Sequence, residues 1–138
     1  MPRAPGRISA GGAPDAADAL VAALRAPATD HEVAESLTHP FHSYPARLHP
    51  ATARVLVELV GAGGRGGGRG GPVIVDPFCG SGTTLVEIRA AGLRAIGVDL
   101  NPLAVLVARA KTWTVPARRR KALRDAGHAI SGAVLAAG

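Results

Sequence analysis

The sequence predicts an α/β fold with a β-α-β-α core, and two stretches carry that prediction. Val73-Ile74-Val75 is a run of β-branched apolar residues, the composition of a buried strand, and it breaks at Asp76-Pro77 into a turn bearing Gly80 and Gly82. The turn opens into Thr84-Leu85-Val86-Glu87-Ile88-Arg89-Ala90-Ala91, which reads as a helix closed by Gly92. Leu93 to Asp99 then reads as a second strand ending in a carboxylate, and Pro102 opens another helix that runs to about Lys111, with Val105, Leu106 and Ala110 as packing positions. Strands alternating with helices in this way imply parallel pairing and right-handed crossovers.

The chain has 138 residues, room for one domain, and a formal net charge of +6 at pH 7. That charge suits an acidic partner such as nucleic acid, although a chain this rich in Arg, Ala, Gly and Pro can also owe its bias to genome base composition. One Cys excludes an intrachain disulfide and points to a reducing compartment. No apolar run approaches the ~20 residues that a membrane helix needs, and no apolar signal core follows Arg3 and Arg7, so a cytoplasmic protein is expected.

Residues 1–29 read as a disordered lead-in containing a short helix from Asp15 to Arg25, whose apolar face (Leu20, Val21, Leu24) is thin. Residues 30–138 are expected to form one partial domain. Its first part holds His31, His39, His42 and His49 near Tyr44 and Arg47. Their spacings complete no metal-ligand pattern, so no metal is assigned; a surface segment whose histidines bond the backbone is the simpler expectation. His49 to Val60 reads as a helix with Pro50 at its first position, an apolar stripe of Val55, Leu56, Leu59 and Val60, and Gly61 as its stop. Residues 61–71 form a Gly/Arg-rich flexible connector; an RNA-binding arginine-glycine segment is the alternative, but only two Arg are present and no aromatic lies between them. After an extended Lys111 to Val115, a last helix begins near Ala117 with Arg118-Arg119-Arg120-Lys121, a solvated face or a phosphate contact. Leu123, Gly127, Ile130 and Val134 follow at helical spacing.

A glycine turn between strand and helix lets backbone N–H groups approach a ligand, because no Cβ intervenes. A carboxylate about 20 residues on, at the end of the next strand, is placed to accept hydrogen bonds from ribose hydroxyls, and Asp99 fits that position. No Lys-Ser or Lys-Thr follows the glycines, which argues against a nucleoside-triphosphate loop. Asp76, just before the turn, would repel a pyrophosphate and attract a cation. A ligand with a ribose and a cationic amino-acid portion, such as S-adenosylmethionine, fits this pair of carboxylates.

Asp76-Pro77-Phe78-Cys79-Gly80-Ser81-Gly82-Thr83-Thr84 resembles the cofactor motif of S-adenosylmethionine-dependent DNA methyltransferases that modify exocyclic amines, the adenine-N6 and cytosine-N4 class. Gly97-Val98-Asp99-Leu100-Asn101-Pro102 resembles their next motif, and Phe41 to Pro50, containing His42-Ser43-Tyr44-Pro45-Ala46-Arg47, is similar to an element that precedes the cofactor motif in some of them. RNA-guanine methyltransferases carry similar loops. The resemblance covers about residues 39 to 115 and implies a Rossmann-like class I methyltransferase fold, incomplete here, with N-terminal helices before the core and a C-terminal helix after it. By that resemblance Asp76 would hold the methionine ammonium group, Phe78 would pack beside the cofactor, and Gly80, Gly82 and Thr83 would shape the loop around it. Asp99 would bind the ribose, Leu100 or Asn101 would lie beside the adenine, and Tyr44 and Pro45 would close the methionine end. Cys79 is expected to be a small buried residue, and Asn101 is also a ready helix cap.

The family's transfer step uses an Asp/Asn/Ser-Pro-Pro-aromatic motif, whose polar groups accept hydrogen bonds from the base amine and whose ring stacks on the flipped base. No Pro-Pro pair occurs in this sequence, and only two firm strands can be read. The expectation is therefore a cofactor-binding portion, inactive alone, with no catalytic residue assigned. DNA would be its substrate, and a downstream segment or a second chain would carry the catalytic motif. A non-catalytic cofactor- or nucleotide-binding module, or part of an RNA guanine-N2 methyltransferase, are the alternatives.

Overall fold

The computed structural model describes residues 7–30, 32–42, 47–62 and 73–136. Five α-helices occur among the described residues: α1 (Pro14–Arg25), α2 (Pro50–Ala62), α3 (Thr83–Ala90), α4 (Pro102–Thr112) and α5 (Ala117–Ala136). Short 3-10 turns at Ala26–Ala28, Glu32–Glu35 and His39–Phe41 link α1 to α2. Two strands, β1 (Val73–Asp76) and β2 (Arg94–Gly97), pair in parallel, with Val73 opposite Arg94 and Asp76 opposite Gly97. The fold is thus mixed α/β around a two-stranded parallel sheet. Most of the Gly/Arg-rich connector lies outside the described residues.

Backbone pairing continues past the strand ends. Val98 N–H donates to Asp76 O at 2.9 Å, and Cys79 N–H donates to Val98 O at 3.0 Å. The turn after β1 is thereby fastened to the chain leaving β2, which brings the two motif segments side by side.

The core lies on one face of the sheet. Val57 from α2, Leu85 and Ile88 from α3, Ala108 from α4 and Cys79 from the turn form its buried cluster, with Ile74, Leu93 and Ala95 packed against it. Ile88 is wholly buried, and burying a side chain of that size stabilises a fold by about 1.5–3 kcal/mol. The opposite face shows Val73, Val75, Ile96 and Val98 to solvent, with exposures between 38% and 57%. Parallel strands are ordinarily covered on both faces, so this sheet is half covered.

Three elements differ from the sequence reading, each for a packing reason. Helix α2 runs through Gly61 to Ala62. A Cβ at Gly61 would come within 2.9 Å of Leu93 Cδ1, so the glycine serves close helix packing here and does not stop the helix. In α4 the buried face is Ala104, Val107, Ala108 and Lys111, while Leu106 is exposed and Ala110 lies on the outer side. The helix turns its small residues inward because Gly82 approaches Ala108 too closely for anything larger. Third, α5 has no buried residue, and Leu123, Ile130 and Val134 are all exposed. Among the described residues no helix is long and apolar enough to cross a membrane.

Candidate functional site

Asp76 and Asp99 are brought together at the carboxyl ends of the two strands, where open α/β sheets bind their ligands. Asp76 is the last residue of β1, and its Oδ1 accepts the Phe78 N–H at 3.1 Å. Asp99 lies just past β2. Its Oδ2 accepts the Gly80 N–H at 2.8 Å, and its Oδ1 accepts the Asn101 N–H at 2.8 Å. One carboxylate therefore ties the glycine turn after β1 to the turn after β2.

The turn needs its glycines. Gly80 and Gly82 have φ angles of 49° and 80°, in the left-handed region where a Cβ is strained. A Cβ on Gly82 would also sit 2.9 Å from Ala108 Cβ and 3.0 Å from its Cα, so α4 could not close on the turn. Gly97 answers a similar demand, since a Cβ there would collide with Leu85 Cδ1 and press on Cys79. Gly82 precedes α3 directly, and Thr83, the first residue of that helix, is buried.

The remaining predicted positions divide. Phe78 is 86% exposed and Leu100 is fully exposed, uncommon states for large apolar side chains beside two carboxylates. Asn101 caps α4, its Oδ1 accepting the Leu103 N–H at 3.0 Å. Cys79 is buried, and that burial, reinforced by the Asp76 and Asp99 carboxylates, pushes its thiol pKa up. A thiol held protonated in this way is a packing group and a poor nucleophile. Tyr44 and Pro45 lie outside the described residues. No cluster of His, Cys, Asp or Glu that could hold a metal occurs among the described residues.

A cavity of about 200 Å³ lies against the turn. Asp76, Phe78, Gly80, Ser81 and Thr83 line it together with Arg47 and Leu48. Ser81 Oγ is buried and has no hydrogen-bond partner among the described residues. A larger hollow of about 460 Å³ is lined by Leu85, Arg89, Leu93, Arg94 and Thr112. It lies by the start of β2, has no carboxylate, and is far less suited to a ligand bearing hydroxyls and a cation.

A second polar cluster had no signal in the sequence. His39 is fully buried, and its Nε2 donates to Glu87 Oε1 at 2.7 Å. Arg54 Nε donates to Glu87 Oε2 at 3.0 Å, and Arg54 reaches towards Asp30 at 3.9 Å. The surface histidine expected here is thus a core group with a carboxylate partner on α3. Burial outweighs that carboxylate and holds the His39 pKa below its ordinary value. Lys111 is buried next to this segment, and Thr38 Oγ1 donates to Lys111 O at 3.0 Å. Burial lowers the Lys111 pKa, and Arg47 adds to the effect. Partners 48 positions apart leave no local pattern to read.

With this geometry in place, similarity to known proteins becomes informative. Residues 26–109 match the DNA methylase family. The chain belongs to that family. A type II methyltransferase of Kocuria varians, M.MvaI, is 38% identical over 100 residues, which is 70% of this chain and 20% of that protein. The type II methyltransferase M.MjaII of Methanocaldococcus jannaschii is 38% identical over 64 residues, 46% of this chain and 12% of that protein. A tRNA (guanine(10)-N2)-dimethyltransferase of Methanothermobacter thermautotrophicus is also 38% identical, over 58 residues that make up 42% of this chain and 16% of that enzyme. This DNA methylase family member therefore spans a fifth or less of the length of these relatives. No solved structure matches it.

Proposed function

We propose that this chain is the S-adenosylmethionine-binding portion of a DNA methyltransferase that modifies an exocyclic base amine, adenine N6 or cytosine N4. The observation that carries the reading is the pair of carboxylates at adjoining strand ends, joined by the Gly80–Asp99 hydrogen bond. The residues fit the cofactor. Each Asp99 oxygen already accepts one N–H, and a carboxylate has about four acceptor positions, so ribose hydroxyls can still be bound. Phe78 and Leu100 offer exposed apolar surface to an adenine, and Asp76 offers an anion to the ammonium group. Tyr44 and Pro45 are assigned to the methionine end. When bound, the cofactor supplies an activated methyl group; this chain's residues hold and orient it.

The same reading gives the chain no transfer activity alone. Its sequence lacks the Pro-Pro-aromatic motif, and the apolar residues on the outer face of the sheet are about half exposed. A further polypeptide segment, in the same chain or a second one, would cover that face, extend the sheet into the Rossmann-like form and bring the catalytic motif. DNA is the proposed substrate, on the family and on the two type II relatives. The tRNA-guanine relative keeps an RNA amine as the second reading.

Calorimetry tests the cofactor assignment. The wild-type chain is expected to bind S-adenosylmethionine, and Asp99→Ala is expected to weaken binding about 10-fold or more, the worth of charge-assisted hydrogen bonds. Equal affinities for the two proteins would refute the ribose assignment. Labelled methyl transfer to DNA by the purified 138-residue chain would refute its inactivity.

A further inference from the structure

Helix α5 concentrates cations that the packing of the chain does not use. Arg118, Arg119, Arg120, Lys121 and Arg124 put five of the chain's 16 Lys and Arg into residues 117–124, and every one is exposed. Lys121 Nζ pairs with Asp125 Oδ2 at 2.7 Å, and Asp125 is the single carboxylate of the helix. The side chains of the four arginines make no hydrogen bond or ion pair among the described residues. Nor do they serve the helix itself, since cations in the first turn oppose its dipole. At about 100° per residue, Arg118, Arg119, Arg120 and Lys121 look out on four different sides, so the cations encircle the helix. The exposed Leu123, Ile130 and Val134 follow along the axis, whereas a helix lying in a membrane surface carries its cations on one face and its apolar residues on the other. The base of α5 also stands away from the candidate cofactor site. Helix α4 carries the chain over 11 residues, about 16 Å, from Asn101 to Thr112, which lines the hollow by the start of β2 with Arg89 and Arg94.

We propose that the first two turns of α5 bind duplex DNA through its phosphates, independently of sequence. A polyanion supplies partners for the arginines, and a guanidinium forms paired hydrogen bonds with phosphate. The major groove admits an α-helix and is bordered by the phosphates of both strands, so cations on all sides of one helix can reach both. Phosphate contacts position a protein on the duplex without reading its bases. The surface shares no residue with the candidate cofactor site, so this inference and the cofactor reading stand or fall separately.

The test measures binding of the full chain to short labelled duplexes of two unrelated sequences, by fluorescence anisotropy across a range of salt concentrations. The wild type is expected to bind both alike, with an affinity that falls steeply as salt rises. Arg119→Gln with Arg120→Gln is expected to lower the slope of log affinity against log salt by about 2. Arg118→Gln, Arg119→Gln, Arg120→Gln and Arg124→Gln together are expected to lower it by about 4 and to weaken binding about 10-fold or more. Because α5 buries no residue, these variants are expected to melt as the wild type does. Arg65→Gln with Arg69→Gln removes the same charge as the first pair from the Gly/Arg-rich connector, and is expected to leave the slope unchanged. The proposal is overturned if the wild type does not bind duplex DNA, if the α5 variants bind as the wild type does, or if the connector pair loses as much as the α5 pair. Tighter binding to single-stranded DNA, to polyglutamate or to phosphatidylserine vesicles than to the duplex would overturn it equally.

Discussion

Gly82 is where the backbone, a helix packing and the candidate site meet. Its φ of 80° places it in the left-handed region, where a side chain costs about 1–2 kcal/mol. A Cβ there would also touch the Ala108 backbone, which cannot rotate away as a flexible side chain could. Gly82→Ala is expected to destabilise the chain by about 2 kcal/mol or more, read as a lower urea midpoint; an unchanged midpoint would contradict the close packing of α4 on the turn. His39 gives a pH prediction. The folded state keeps it neutral because burial outweighs Glu87, with Lys111 and Arg47 adding to the effect, whereas the unfolded chain protonates it near 6.5. The unfolded state thus binds more protons below that pH. Stability from this group is full above 6.5, falls as pH drops through that value, and levels off below the folded-state pKa. Urea midpoints measured from neutral pH down to about pH 5 should therefore decline, and the decline should shrink in His39→Gln. Lys111 acts in a separate window: its lowered pKa means its penalty is relieved as pH rises towards 10.5.

At the scale of elements, the helices divide by what they bury. Helix α3 buries Leu85, Val86, Glu87 and Ile88 in succession, and α4 is capped by Asn101 and held through Ala104 and Ala108. Helix α5 buries nothing along its 20 residues. Isolated helices of that length are marginal in water, since most helical stability comes from packing an apolar face. Hydrogen exchange followed by mass spectrometry should show α5 amides exchanging far faster than those of α3, because they open without unfolding the core. Comparable protection in both helices would mean that α5 is packed on something in solution.

Among the described residues, the helices that bury the sheet pack on one side of it. The inner face of the sheet rests on α2, α3 and α4 through one cluster, while Val75 and Ile96 lie on the outer face, each more than half exposed. An apolar patch of this kind marks an interaction surface or an aggregation hazard. The double substitution Val75→Thr with Ile96→Thr is expected to raise the solubility of the isolated chain while changing its stability by about 1 kcal/mol or less. A loss as large as that of a core substitution, about 2–5 kcal/mol, would show that this face is buried in solution.

The sequence by itself determined the order of elements and the nature of the central turn. β-branched runs, glycines needing positive φ and prolines at helix starts are local signals, and they placed β1, α3, β2 and α4 to within a residue or two. It also marked Asp76 and Asp99, because strand ends are set by the same local pattern. Only the tertiary structure decided which helix faces turn inward. In α4 hydrophobic size pointed to Leu106, but the limit set by Gly82 selected Ala108, on the buried face that Ala104 shares. Gly61 likewise reads as a stop and serves as a gap for Leu93. The link from Glu87 through His39 to Arg47 was illegible for the same reason: its members are far apart in the chain, and nothing local foretells that burial will bring a histidine to a carboxylate and set a guanidinium beside the cavity.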